Sequence, residues 1–309
     1  MIRRILLSAS RSETLQQLST NAPVARSVVK RFIAGDTAQD AVVTASGLAA
    51  AGLMSSIDHL GEDTLTRDQA DAVREAYLEL LGLLTATGLA DTVEVSVKLS
   101  AIGQALPVDG VAISTDNALR IAEAADAANT MVTIDMEDHT TTDRTLATVA
   151  ELRSEFPRTG TVLQAYLRRT QADCRDLSGP GSRVRLCKGA YKEPESVAFQ
   201  GRSDVDLNYV RCLKELMNGG GYPMMATHDP RLIEVAEALA IRAGRRPDQY
   251  EYQMLLGVRP EEQRRLAAAG ERVRVYVPYG AQWYGYMVRR VAEKPANLAL
   301  LLRSLTSSK

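Results

Sequence analysis

The sequence predicts an α/β fold, a (β/α)8 barrel, from three observations. Eight short runs rich in Val, Ile, Leu, Met and Tyr recur along the chain, each followed by a helical pattern. Several runs alternate and others are nearly continuously apolar, as parallel strands covered on both faces should be. The helical segments carry start and stop residues at the correct offsets. Eight such units over about 250 residues match the size of a barrel.

Residues 1–50 precede the first strand and read as two or three extra helices. The stretch "AVVTASGLAAAGLMSSI" (41–57) has no charge, but Ala, Gly, Ser and Thr dominate it. It reads as a tightly packed, buried helix running into a strand, not as a membrane span. The strands follow in order. They are "LMSSIDHLG" (53–61), "VEVSVKLS" (93–100), "MVTIDMED" (131–138), "TVLQAYLR" (161–168), "RVRLCKGAY" (183–191), "PMMATHD" (223–229), "YEYQMLLG" (250–257) and "RVRVYVPYG" (272–280). Between the first two lies a long amphipathic helix, "TRDQADAVREAYLELLGLLTATG" (66–88). In "HDPRLIEVAEALAIRAG" Asp229 is placed as N-cap, Pro230 as the first helical residue and Gly244 just past the end. Pro260 and Gly270 repeat that grammar in "RPEEQRRLAAAG". No low-complexity linker interrupts the pattern, so one domain is expected over 1–309, with helices in 1–50 and the barrel and C-terminal helices in 51–309. The rival, a doubly wound nucleotide-binding sheet, needs G-x-G-x-x-G or a P-loop directly after a strand. Neither is present, and "NGGG" (218–221) precedes a strand instead.

Composition narrows the function. A net charge of −1, from 37 basic and 38 acidic residues, gives no nucleic-acid surface. Cys174, Cys187 and Cys212 are odd in number and lack metal spacing, which fits buried thiols in a reducing compartment. His59, His139 and His228 are too scattered for a zinc site, and no metal is expected. The N-terminal apolar run is too short for a signal peptide. The expected location is cytoplasmic.

In a barrel the C-terminal ends of the strands line the active site. Those ends read Asp58, Lys98, Asp135, Gln164, Arg185 with Lys188, Thr227 with His228, Gln253 and Tyr276. Each has an ordinary explanation alone: a strand-end lysine is often just the first exposed residue, and His228 beside Asp229 can help cap the next helix. Jointly they are harder to dismiss. Arg185 inside a buried strand needs an anionic or electron-rich partner, and Gly189 permits close backbone approach to a ligand. The lining is cationic and amide-rich with one phenol, suited to an anionic substrate and a polar ring system. It lacks the triad, the metal ligands and the close carboxylate pair of common hydrolases. Near the C-terminus, "YGYMVRRVAEKPAN" (284–297) puts Tyr286, Arg289, Arg290 and Glu293 on one helix face, and Met287, Val291 and Leu298 on the other. As an isolated segment that face reads as a solvated Arg–Glu pair.

The motifs "VKLSAIG", "TIDMED", "QAYLRR", "RLCKGAY", "ATHD", "YVPYG" and "YMVRRVAEKPAN", in unbroken order from about residue 50 to 305, resemble the proline dehydrogenase family. This includes the proline dehydrogenase domain of bacterial proline utilization A. The resemblance implies a distorted (β/α)8 barrel that holds FAD non-covalently, with the final helix over the barrel mouth. It implies that Arg289 and Arg290 clamp the carboxylate of L-proline, that Glu293 lies near the amine end, and that Lys98 also meets the carboxylate. Tyr191, Leu255, Tyr276 and Tyr286 would form the substrate-ring pocket, with Asp58 supporting it less directly. Asp135 would be the acid beside the flavin, backed by Met136. Gln164 and Arg185 would contact the flavin ring, Arg185 near N5, while Lys188, Gly189, Ala190, Thr227 and His228 would line the cofactor. The chain departs from the family pattern at Lys192, where Trp is frequent, and at Asp229, where Asn is frequent.

The implied reaction is oxidation of L-proline to Δ1-pyrroline-5-carboxylate by hydride transfer to flavin N5. The resemblance further implies reoxidation by a membrane quinone, a peripheral contact with the inner face of the membrane, and a separate pyrroline-5-carboxylate dehydrogenase for the next step. Two rivals stand beside this reading. One is a barrel aldolase or lyase with Lys98 or Lys188 as a Schiff base. The other is a flavin-binding sensor without turnover.

Overall fold

The computed structural model describes residues 31–61, 64–283 and 286. Eight parallel strands close into a barrel in sequence order: β1 Met54–His59, β2 Val93–Val97, β3 Val132–Ile134, β4 Gly160–Gln164, β5 Arg183–Cys187, β6 Tyr222–Ala226, β7 Glu251–Leu255 and β8 Val273–Tyr279. β8 returns beside β1 along six residue pairs and closes the ring. Every predicted strand is present, each inside or within one residue of its predicted run. β3 is the shortest, and the "DMED" that follows it leaves the sheet as a loop.

Around the barrel run α1 Ala38–Ala50, α2 Arg67–Ala86, α3 Gly110–Ala127, α4 Thr142–Glu155, α5 Thr170–Asp176, α6 Arg202–Asn218, α7 Pro230–Arg242 and α8 Pro260–Ala268. Their ends follow local chemistry. The Thr66 side chain accepts from Gln69 N at the start of α2. The Asp229 side chain accepts from Arg231 N with Pro230 behind it, the cap read from the sequence. Gly244 and Gly270, at φ of 65° and 88°, end α7 and α8 in the left-handed region that other residues resist.

Two expectations are corrected. The segment 41–57 does fold as a helix and a strand, but α1 is buried on one face only. Ala41, Val42 and Ala45 are covered, while Val43 is 63% exposed. The reason is position: α1 packs from outside onto β1, β8 and α2, so its far side meets solvent. The second correction concerns the strands, which are not apolar on both faces. Val93, Val95 and Val97 of β2 and Val273, Val275 and Val277 of β8 join the main apolar core, along with residues of the helices. The alternate positions, Glu94, Ser96, Arg274 and Tyr276, hydrogen-bond to residues of other strands or of the loop after β3. The apolar core is therefore the layer between sheet and helices, and the barrel interior is charged.

Of the helices expected in 1–50, Ala38–Ala50 lies within the described residues. The final helix expected over the mouth lies outside them, as do Arg289, Arg290 and Glu293. Among the described residues no helix is long and apolar enough to cross a membrane.

Candidate active site

Alternation in parallel strands sends every second side chain into the barrel, and neighbouring strands align these positions in layers. Toward the C-terminal ends, Lys98 donates to both oxygens of Asp58 at 2.7 Å. Its ammonium lies 3.3 Å from the Tyr276 hydroxyl and 3.7 Å from Asp135. Tyr276 donates to Asp135 Oδ2 at 2.8 Å. The other oxygen of Asp135 accepts from Ser96 Oγ at 2.7 Å and from Arg185 Nη1 at 2.6 Å.

Arg185 forms the next layer down. Its Nε donates to Gln253 Oε1, Nη1 to Ser96 as well as Asp135, and Nη2 to Ser56 at 3.1 Å and Glu94 at 3.4 Å. A guanidinium has five N–H groups, and here each has an acceptor. The Tyr276 ring lies 5.3 Å from its centre. Below, Glu94 pairs with Arg183 at 2.6 Å, and Arg274 pairs with Glu251 at 2.8 Å. The network sets Lys98, Arg183, Arg185 and Arg274 against Asp58, Glu94, Asp135 and Glu251, so its formal charges cancel. That balance is what lets so many ionic groups stay buried.

Burial and neighbours tune these groups. Burial pushes the Asp58 carboxyl up to about 6, against the opposing pull of Lys98. Burial also works against the charge on Arg185, but Asp135 and Glu94 outweigh it and hold the guanidinium above its ordinary range. Glu94 likewise loses solvation, and Arg274, Arg183 and Arg185 more than reverse this, bringing it down to about 2. Burial, reinforced by the charges of Asp135 and Asp58, drives the Tyr276 phenol well above its usual value, so it stays a neutral donor.

Other predicted site residues, among those described, make their contacts elsewhere. Gln164, buried at the end of β4, donates to Glu137 O at 2.7 Å. Lys188 is held by Asp206 at 2.5 Å and Asp229 at 3.2 Å. Thr227 Oγ1 accepts from Asp229 N. His228 does not cap α7; its Nε2 accepts from Leu255 N at 2.9 Å, which ties the loop after β6 to the end of β7. Met136 joins the apolar core between sheet and helices. Tyr286 is buried in a separate cluster with Phe32, Ile33 and Leu60, beside Trp283.

Gly189 has φ of 112°, and a Cβ there would lie 2.3 Å from the Tyr166 ring. The close approach that glycine permits is thus first to Tyr166. Just beyond the segment from Lys188 through Ala190 and Tyr191, Glu193 is buried. Glu193 accepts from His139 N at 2.9 Å, meets the His139 ring, and accepts from the Tyr166 hydroxyl at 3.2 Å. Lys192 is exposed.

Reading strand ends alone missed Glu94, Ser56, Ser96, Arg183, Glu251, Arg274 and Glu193, and gave Gln253 no role. The signal for most of them was present. "VEVSVK", "RVRLC" and "RVRVY" alternate polar and valine-rich positions, and that alternation puts the polar set on one face. Elsewhere a cleft of about 820 Å³ lies beside α3 and α4, lined by Gln104, Asp109, Thr115, Arg144 and Glu151 among others. None of the predicted site residues among those described borders it.

A family model described as proline dehydrogenase matches residues 41–301. Proline dehydrogenase 1 of Bacillus subtilis (strain 168) is 38% identical over 305 residues, covering 99% of each chain. Proline dehydrogenase of Deinococcus radiodurans is 35% identical over 307 residues, covering 99% of this chain and 98% of its own. The crystal structure of proline utilization A from Bdellovibrio bacteriovorus, inactivated by N-propargylglycine, superposes with a TM-score of 0.81 at 25% identity. The match covers 92% of this chain but 34% of that longer one. With the charged barrel interior and the ordered motifs, these matches answer the question of kinship: the chain belongs to the proline dehydrogenase family.

Proposed function

We propose that this protein is an FAD-dependent proline dehydrogenase, oxidising L-proline to Δ1-pyrroline-5-carboxylate as the first step of proline catabolism to glutamate. Quinone is the electron acceptor in this reading, and a separate pyrroline-5-carboxylate dehydrogenase consumes the product. The observation that carries it is Arg185, a fully partnered, buried cation directly beneath the mouth residues Lys98, Asp135 and Tyr276. A fixed cation favours any process that brings negative charge to its neighbourhood. The surroundings suit a flavin: Gln164 and Arg185 for the ring, and Lys188, Gly189, Ala190, Thr227 and His228 along the mouth for the rest. When bound, FAD supplies the hydride acceptor.

The chain's own residues bind and orient. Lys98 with Arg289 and Arg290 neutralises the proline carboxylate, and Glu293 faces the amine end. Guanidinium forks match a carboxylate better than single ammonium charges do. Tyr276, held by its bond to Asp135, offers a ring face to the pyrrolidine, with Tyr191, Leu255 and Tyr286 completing the apolar wall. Excluding water there favours the neutral amine that the oxidation requires. Asp135 accepts three hydrogen bonds, so its role is to hold Arg185 and Tyr276 in place.

The Schiff-base alternative fits poorly. Lys98 and Lys188 are both ion-paired to carboxylates, opposite to the desolvated, uncharged amine that chemistry needs. Anaerobic incubation with L-proline and a soluble quinone tests the proposal. Mass spectrometry should find a product lighter than proline by two hydrogens, with matching quinol. A product of carbon–carbon cleavage, or none, contradicts it.

A further inference from the structure

Gln253 is 4% exposed and lies between two oppositely charged groups. Its Oε1 accepts from Arg185 Nε, and its Nε2 donates to Glu251 Oε1. Guanidinium offers donors only and an ionised carboxylate offers acceptors only, so the amide has one orientation that serves both. Glu251 is itself fixed, accepting from Arg274 Nε at 2.8 Å and Nη2 at 3.1 Å. Arg274 stands opposite Gln253 in the β7–β8 register. The chain Arg274–Glu251–Gln253–Arg185 therefore transmits a fixed geometry from the lower charged layer to the cation under the mouth.

We propose that Gln253 is a positioning residue for Arg185, an amide whose orientation is set by Glu251 and which joins the guanidinium without adding charge. The inference rests on the flavin reading above. Fixing Nε fixes the plane of the guanidinium. That plane decides whether the two Nη groups can meet Asp135, Ser96, Ser56 and Glu94 together. Neutrality matters equally. A carboxylate at position 253 would meet Glu251 with like charge and would cancel much of the field that Arg185 presents to the mouth.

The test exchanges the two groups. Gln253→Glu combined with Glu251→Gln keeps the volume and net charge of the pair but moves the negative charge against Arg185. In the purified FAD-bound protein the flavin midpoint potential should become more negative. The rate of flavin reduction by proline should fall by at least about tenfold, and the proline dissociation constant should stay within about twofold. A merely structural role would change stability or FAD content and leave the potential alone. An exchange variant with wild-type potential and reduction rate overturns the proposal. Should the exchange variant lose FAD, Gln253→Met supplies the measurement. Slow reduction at unchanged proline affinity supports the positioning role, and wild-type reduction overturns it. If the unmutated protein fails to bind FAD, the flavin reading itself is wrong and the proposal falls with it.

Discussion

Asp135 and Arg185 meet at 2.6 Å, joining the loop after β3 to β5, and β3 and β5 are not neighbours in the barrel. The contact crosses the interior, so it fixes the cation from a direction the sheet's own hydrogen bonds cannot reach. Arg185→Met should lower the rate of flavin reduction and shift the flavin potential more than it changes proline binding. It also strips Asp135 of its nearest cation, while Glu94 keeps Arg183 at 2.6 Å, and losing that buried partner should cost about 3–5 kcal/mol of stability. Stopped-flow reduction and equilibrium unfolding on the same preparation separate the two effects. Unchanged reduction would make Arg185 a structural cation.

On the proposed reading, Tyr276 should govern discrimination on the proline ring. A packed apolar wall rejects one extra hydroxyl by only about 1–3 kcal/mol. Tyr276→Ser should therefore improve kcat/KM for 4-hydroxyproline relative to proline, while lowering proline turnover through the vacated volume. Tyr276 also donates to Asp135. Tyr276→Phe, which keeps the ring but loses the hydroxyl's contacts with Asp135 and Lys98, should slow turnover with the substrate ratio unchanged. A Tyr276→Ser enzyme with the wild-type ratio would mark the residue as barrel core.

The proposed arginine clamp falls outside the described residues, and its test is kinetic. Arg290→Met should raise KM for proline by about two orders of magnitude while FAD stays bound, because a desolvated, charge-assisted contact is lost. Carboxylate inhibitors should weaken in parallel. A variant with normal KM and weaker FAD retention would assign this segment to the cofactor.

Glu94 sets an acid limit on stability. Its carboxyl is held down to about 2 in the folded protein, from an ordinary value of 4.5, with Arg274, Arg183 and Arg185 overcoming burial. A depressed carboxyl contributes stability that is fully present above 4.5 and lost as the pH falls through 2. By linkage this is roughly 3 kcal/mol. Asp58, raised to about 6 by burial, acts with the opposite sign. Its contribution is full below 3.8 and lost as pH rises through 6, so it does not offset the loss below 3.8. Unfolding free energies should fall from pH 3.8 to 2, and the slope there should flatten in Glu94→Gln, itself destabilised at neutral pH.

Much of this was legible in the sequence because alternation is local. Each strand announced itself by its own run, and Asp229, Pro230 and Gly244 marked a helix with no reference to the rest of the chain. Asp58, Lys98, Asp135 and Tyr276 were found as strand ends, and the barrel geometry then brought them together. What escaped was the partner set beneath Arg185. "VEVSVK" shows that Glu94 and Ser96 share a face with Lys98. Which cation they meet depends on the curvature that carries β5 and β8 across the interior, and no local pattern states it. Glu193 was invisible for a related reason. Its acceptor role is defined by His139 and Tyr166, which lie 54 and 27 positions away.

The absorbance spectrum of the purified protein, recorded before and after addition of L-proline under anaerobic conditions, tests the central claim most directly. A flavin band in the visible that bleaches on adding proline, and returns when quinone is admitted, is the predicted result. A protein without the band contradicts the cofactor assignment. A band that persists in proline contradicts the dehydrogenase reading and leaves a flavin-binding protein without turnover.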